Sequence, residues 1–307
     1  MVNALDQAHR LKMDTVQVFT KNQQQWKAPP LDPAAAKAWR DRVAELGWQG
    51  RTVSHASYLI NLASPDPDLW KKSIDLMVIE IERCHELEIP FLVHHPGAFT
   101  TSTREEGLAR IAAAYRELFD RTRGANVISC LENTVGGGSN LGREFDELAR
   151  LRDMIIDATS SPDRLGICFD TCHAHAGGHD MSSAQAAAAT LDKFDRTVGL
   201  KWIRVLHLND SKGKLDSRLD RHEHIGKGQI GLPGFGVVVN HPAFANIPKI
   251  LETPKEDPKS KPTAKPSKNS PPDLDTLNLQ SLWSLLEQRP IKQPKQGSNR
   301  QPRPTRR

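Results

Sequence analysis

Apolar residues recur along this chain in two alternating periods. Short runs apolar on both faces predict strands at Val16–Phe19, Arg51–Ser54, Phe91–His94, Val127–Leu131, Leu165–Phe169, Ile203–Leu206 and Ile247–Leu251. Between them the spacing lengthens to that of helices. Asp32 and Pro33 form an N-cap and first-turn pair for a helix running to Gly47, and Trp70, Ile74, Met77, Val78, Ile81 and His85 mark one face of the next. Helical patterns also cover Glu105–Arg123, Glu144–Ala158 and Ser182–Val198, and the chain opens in a helix at Val2. Strand and helix in strict alternation predict an α/β fold of the TIM (β/α)8 type, here with seven strands instead of eight. By count the first strand is the one expected to be absent, because it would precede Val2.

The runs end in a chemically consistent way. His55, His95, Glu132, Asp170 and His207 close or directly follow five of them, and Glu252 follows the last, roughly every 40 residues. One such residue alone is more often a cap or a satisfied core polar group. Recurrence at the same end of successive strands predicts a metal site on the barrel rim, because an unpaired buried carboxylate is costly. Two clusters add ligand types: Asp170 and His173 in FDTCHAHAGGHD, and Asp220 and His222 in SRLDRHEH, where a spacing of two puts both side chains on one side of an extended segment. The inventory of five His, two Asp and two Glu exceeds one tetrahedral zinc and suits two or three ions.

Other residues change the picture less. His9, His85, His94, His175, His179, His224 and His241 are expected to pack or face solvent, and of the neighbours His94 and His95 only one should enter the site. Cys168 and Cys172 are soft-ligand types in a stretch that Asp170 and His173 already serve. The GGGSN run at Gly136–Asn140 has no Lys-Ser/Thr after it and is not a nucleotide-binding loop.

Composition sets the frame. With 307 residues and 37% hydrophobic content the chain can bury one large core. Its four cysteines do not form a disulfide scaffold, and no signal peptide or apolar membrane span is visible, which predicts a cytoplasmic protein. The net charge of +5 is unevenly placed: Arg289–Arg307 holds seven basic and no acidic side chains, so the rest is close to neutral. The expected organisation is a barrel domain over 1–253, a disordered Pro/Lys-rich insert over 254–273, a terminal helix over 274–287 carrying Leu274, Leu277, Leu282, Leu285 and Leu286, and a disordered basic tail over 288–307. Such a tail could add salt-sensitive contacts to DNA phosphates.

The segments FTKNQQQW (19–26), SHASYLINLASP (54–65), HPGA (95–98), LENTVGGGSNLG (131–142), GICFDTCHA (166–174), LHLNDSK (206–212), SRLDRHEHIGKGQIG (217–231) and ILET (250–253) resemble the endonuclease IV family of apurinic/apyrimidinic endonucleases. The resemblance runs from about residue 3 to Glu252 and takes in every ligand motif. It implies a zinc-dependent hydrolase of the deoxyribonuclease IV type, cutting DNA 5′ to an abasic site to leave a 3′-hydroxyl and a 5′-deoxyribose phosphate, and trimming blocked 3′ ends. It also implies three zinc ions: His55, His95 and Glu132 on the first, Glu132 bridging to a second with Asp170, His207 and Glu252, and His173, Asp220 and His222 on the third. Glu132, Asp170 and Glu252 are then the catalytic carboxylates.

By the same resemblance Tyr58, Asn22, Gln24 and Arg221 are the expected DNA contacts, in a monomer acting on double-stranded DNA. Where the family often carries Arg, this chain has Gln24, which lacks the cation drawn toward the minor groove. The family's barrel begins with a strand bearing a Gly-Ala-His type segment, so the expectation is a true start upstream of Met1. Two other readings stand beside this one: a sugar isomerase on a xylose-isomerase-like barrel, and a non-catalytic DNA-binding relative inactivated by loss of the first strand. An isomerase would need only two metals and would have no use for His55, His95 or the Asp220/His222 pair.

Overall fold

The computed structural model describes residues 1–255 and 273–286. Most of the segment expected as a Pro/Lys-rich insert, and all of the basic tail, lie outside the described residues. The elements run α1 (Val2–Arg10), β1 (Gln17–Val18), α2 (Pro33–Glu45), β2 (Val53–His55), α3 (Pro67–Glu86), β3 (Phe91–His94), α4 (Arg104–Arg121), β4 (Ile128–Glu132) and α5 (Phe145–Thr159). They continue with β5 (Leu165–Asp170), α6 (Thr171–Ala176), α7 (Ala184–Thr197), β6 (Ile203–His207), β7 (Asp210–Ser211), β8 (His222–Glu223), α8 (Gly231–Asn240), β9 (Lys249–Ile250) and α9 (Leu274–Ser284).

Seven strands pair in parallel in the order β1-β2-β3-β4-β5-β6-β9, and β7 and β8 form a separate antiparallel ribbon. Each main-sheet strand therefore sits beside its predecessor, as right-handed βα crossovers produce, and the result is a nearly closed TIM barrel. Among the described residues β1 and β9 do not pair with each other.

Helices α2 and α4 start at side-chain caps. Asp32 accepts from the amide of Ala34 with Pro33 in the first turn, and Thr103 with Glu106 forms a reciprocal capping box on α4. On α3 the buried residues Ile74, Met77, Val78, Ile81 and Cys84 follow the expected stripe, whereas His85 is exposed and accepts from the Asn126 amide at 3.3 Å. Three elements were not foreseen in the sequence: α6, α8 and the β7–β8 ribbon.

Helix α9 packs through a partly polar face instead of a leucine stripe. Leu282 is buried, but Leu277 and Leu286 are 44% and 51% exposed, and the buried positions include Asp275 and Asn278. Asp275 pairs with Lys255 at 2.7 Å, and Asn278 accepts from the Ile225 amide at 2.9 Å. These polar contacts fix the helix rotation that leucine spacing alone would set differently.

Candidate metal centre

The barrel interior is lined by a buried ring of Val53, Val93, Cys130, Cys168, Val205 and Ile250. Two positions further along the chain from each stand His55, His95, Glu132, Asp170, His207 and Glu252. A strand repeats its facing every second residue, so each ligand candidate continues the inward face of its strand up to the C-terminal mouth. The residues between point outward. His94 is buried against α4: its Nδ1 donates to the His95 carbonyl at 2.9 Å, and its Nε2 accepts from the Tyr115 hydroxyl at 2.7 Å. Only His95 of that pair enters the mouth. The HPGA turn beyond it requires glycine: Gly97 has φ +128, and a Cβ there would stand 2.6 Å from Asn61 Oδ1.

The remaining candidates come from α6 and the loop before β8. Asp170 ends β5 and is also the N-cap of α6, its Oδ1 accepting from the His173 amide at 2.7 Å. One helical turn thus brings His173 beside the strand end. Asp220 Oδ1 lies 3.3 Å from His173 Nε2 and 3.5 Å from His222 Nε2.

All nine candidates converge. Ligand-type atoms lie within 4.8 Å of one another in the sets His55/His95/Glu132, Glu132/Asp170/His207/Glu252 and His173/Asp220/His222. Glu132 belongs to two of them. Cys168 joins Glu132 and His207 at the same spacing, and Cys172 joins Asp170 and His222, so both thiols are nearer than the sequence suggested. Burial raises each thiol to about 12, which keeps it a neutral and poor ligand.

The histidine hydrogen bonds fit cation binding. Nδ1 of His55, His173 and His222 each rests on a main-chain carbonyl, of Ala56 (2.8 Å), Asn133 (2.9 Å) and Glu252 (3.2 Å). A nitrogen that donates to a carbonyl leaves its partner nitrogen with the lone pair, the usual arrangement behind a metal-binding imidazole. Nε2 of His173 and of His222 is buried with no hydrogen-bond partner. Buried ring nitrogens left unpartnered beside a carboxylate are where a bound cation would fit.

Charge follows the same lines. Burial favours the protonated form of Glu132, yet His207 and the hydrogen bonds from His173, His207 and His55 hold its carboxyl well below the usual range. For Glu252, burial is outweighed by His207, which draws the group down to about 2. On His173 burial opposes a proton but Asp170, Asp220 and Glu132 retain it well above the ordinary value, and on His207 Cys168, Glu252 and Glu132 do the same. Asp170 itself is raised by burial. Protons on histidine thus occupy the place of divalent cations among these carboxylates.

The expected DNA contacts sit on the surrounding rim. Tyr58 is 58% exposed, and its ring lies 5.1 Å from that of His55 and 6.1 Å from that of His95. Asn22 Oδ1 accepts from the Gln24 amide at 2.9 Å and shapes the loop that presents Gln24 to solvent. Exposed Arg221 follows Asp220 directly. A groove of about 1240 Å³ between α1, β1, β9 and α9 reaches the centre at Gln17, Tyr58 and Glu252.

Sequence reasoning missed the amides around the ligands. Asn209 Nδ2 donates to Asp170 Oδ2 at 2.6 Å while its Oδ1 accepts from the Glu252 amide at 2.8 Å. Asn133 Oδ1 accepts from the Asp170 amide at 2.7 Å. Gln17 Nε2 donates to Glu252 Oε1 at 2.7 Å, and Gln17 Oε1 accepts from His207 Nε2 at 2.8 Å. Asn133 and Asn209 each lie one or two positions after a ligand, a signal that LENT and LHLND did carry.

Residues 5–276 match the family AP_endonuc_2, described as a xylose isomerase-like TIM barrel. The chain is 46% identical over 243 residues to "Probable endonuclease 4" of Chloroflexus aurantiacus, covering 79% of this chain and 84% of that protein. It is 40% identical over 285 residues to the protein of the same name from a Geobacter species, covering 93% and 94%. The crystal structure of endonuclease IV from Thermus thermophilus superposes with a TM-score of 0.74 at 32% identity, over 92% of this chain and 93% of that one. A D-tagatose 3-epimerase-like protein shares the fold alone, with a TM-score of 0.62 at 20% identity. By sequence and barrel architecture, this chain belongs to the endonuclease IV family.

Proposed function

We propose that this protein is a zinc-dependent apurinic/apyrimidinic endonuclease that hydrolyses the phosphodiester 5′ to an abasic site and also removes blocking groups from 3′ ends. The observation that carries the reading is the convergence of nine ligand-type residues into three sets, two of them joined by Glu132, at one barrel mouth. His55, His95 and Glu132 would hold one ion, Glu132, Asp170, His207 and Glu252 a second, and His173, Asp220 and His222 a third. When bound, such ions supply Lewis acidity to a phosphodiester and lower the pKa of water from about 16 toward 7.

The chain's own residues supply the rest. Four carboxylates facing three divalent ions leave a positive mouth that attracts a phosphate even on a nearly neutral barrel. Asn133 and Asn209 hold Asp170 and Glu252 in place by hydrogen bonds to their carboxylates and amides. Tyr58, the Asn22–Gln24 loop and Arg221 would contact a duplex lying across the mouth, and the Tyr58 ring, exposed in the structure, would fill the gap beside an extruded nucleotide. Four buried free cysteines and the absence, among the described residues, of a helix able to cross a membrane are in keeping with action on DNA in the cytoplasm.

The sugar-isomerase reading is disfavoured by the third set, which would serve nothing in a two-metal site. Metal analysis of the purified chain tests the proposal. Three zinc ions per chain are expected, falling by about one in Asp220→Asn; fewer than two in the unaltered chain would overturn it.

A further inference from the structure

The ligand-type histidines are not all held alike. His55, His173 and His222 lean on main-chain carbonyls, which no side-chain substitution removes. His207 faces the centre with the other nitrogen, Nδ1, and its Nε2 has a side-chain partner, Gln17 Oε1 at 2.8 Å. The orientation of that amide is fixed from its far end. Gln17 Nε2 stands 2.7 Å from Glu252 Oε1, and an ionised carboxylate only accepts, so the amide nitrogen must face Glu252 and the amide oxygen must face His207. Nε2 of His207 therefore carries a hydrogen. Nδ1 is left as the nitrogen that offers a lone pair once a cation displaces its proton, 2.9 Å from Glu132 Oε1 and 3.0 Å from Glu252 Oε2.

We propose that Gln17 is a positioning residue of the Glu132/Asp170/His207/Glu252 set: its amide selects Nδ1 as the ligand atom of His207 and holds Glu252 in register with it. The proposal rests on the metal-centre reading above. It gives a task to β1, the one strand of the main sheet, among the described residues, with no candidate ligand within two residues of its end. It also accounts for a polar side chain at the barrel mouth that takes no direct part in the three sets. Gln17 reaches from β1 to the segment after β9, two strands that do not pair among the described residues, so one amide spans the seam and the centre together.

The test uses the full chain, zinc titrated against a chromophoric chelator, and ¹⁵N spectra of the histidine rings. Gln17→Met is close to isosteric and makes neither hydrogen bond. It is expected to weaken one zinc equivalent by about 10- to 100-fold, leave the others at their original affinities, and remove the Nε2–H tautomer of His207. Gln17→Glu keeps an acceptor toward His207 and should restore that tautomer, which a purely structural role for residue 17 would not produce. Unchanged zinc affinity in Gln17→Met, or an unchanged His207 ring spectrum in it, overturns the proposal. If Gln17→Met fails to fold, Gln17→Glu decides, since loss of the tautomer there would also overturn it. An unaltered chain that binds no zinc would instead overturn the metal-centre reading itself.

Discussion

His173 and His207 carry much of the site's charge balance. Each is fully enclosed and retains its proton well above the ordinary imidazole value, because the neighbouring carboxylates outweigh the cost of burial. A metal ion must displace those protons. Zinc uptake near neutral pH is therefore expected to release protons and to weaken as pH falls. Calorimetric titration in two buffers of different ionisation enthalpy should give different heats, and equal heats would contradict the displacement. At the rim, Gln24 offers no charge to a groove. Gln24→Arg is predicted to tighten binding to an abasic duplex and to steepen the salt dependence by about one phosphate contact, read by fluorescence anisotropy at several salt concentrations. Affinity and slope that stay put would remove Gln24 from the interface.

At the scale of elements, a buried carboxylate ties two rim loops together. Glu80 on α3 is 1% exposed and accepts from Thr20 Oγ1 at 2.8 Å and from the Ser57 amide at 3.2 Å, while Ser57 Oγ donates to the Gln23 carbonyl at 2.5 Å. The loop bearing Asn22 and Gln24 and the one bearing Tyr58 thus share an anchor. Glu80→Ala should cost about 2 to 4 kcal/mol in denaturant unfolding, by orphaning buried donors, and should raise KM for abasic DNA more than it lowers kcat. A cost below about 1 kcal/mol would show that the loops hold without it. This anchor was not legible in the sequence, because a glutamate in a helical stripe reads as surface charge until its neighbours are known. His94 was legible. Alternation admits only one of His94 and His95 to the mouth, the recurrence of ligand types at strand ends points to His95, and burial lowers the pKa of His94 from 6.5 to about 4. The native state refuses a proton that the unfolded chain accepts, so stability is full above pH 6.5 and falls as pH drops toward 4, by roughly 3 kcal/mol. Unfolding of the zinc-free protein across that window should be less pH-dependent in His94→Gln, and identical slopes would contradict the assignment.

Over the whole molecule, the barrel and its rim chemistry were readable because one rule governs both. A strand buried on both faces is an apolar run, and its inward residues repeat every second position, so a ligand two places after Val53, Val93, Cys130, Cys168, Val205 or Ile250 must enter the mouth. What escaped the sequence depends on contacts between distant segments: Gln17 meeting Glu252, Asn278 meeting Ile225, and the partly polar docking of α9. None of these follows a period. The proposed activity is cleavage of DNA at abasic sites by three ligand sets, two of which share Glu132. It is tested most directly by incubating the zinc-loaded chain with a duplex carrying one abasic site, beside the same duplex without it, and mapping the product ends. A single cut is expected on the 5′ side of the lesion, leaving a 3′-hydroxyl, abolished by chelation and absent from the intact duplex. A zinc-loaded chain that binds the lesion duplex and leaves it whole would contradict it.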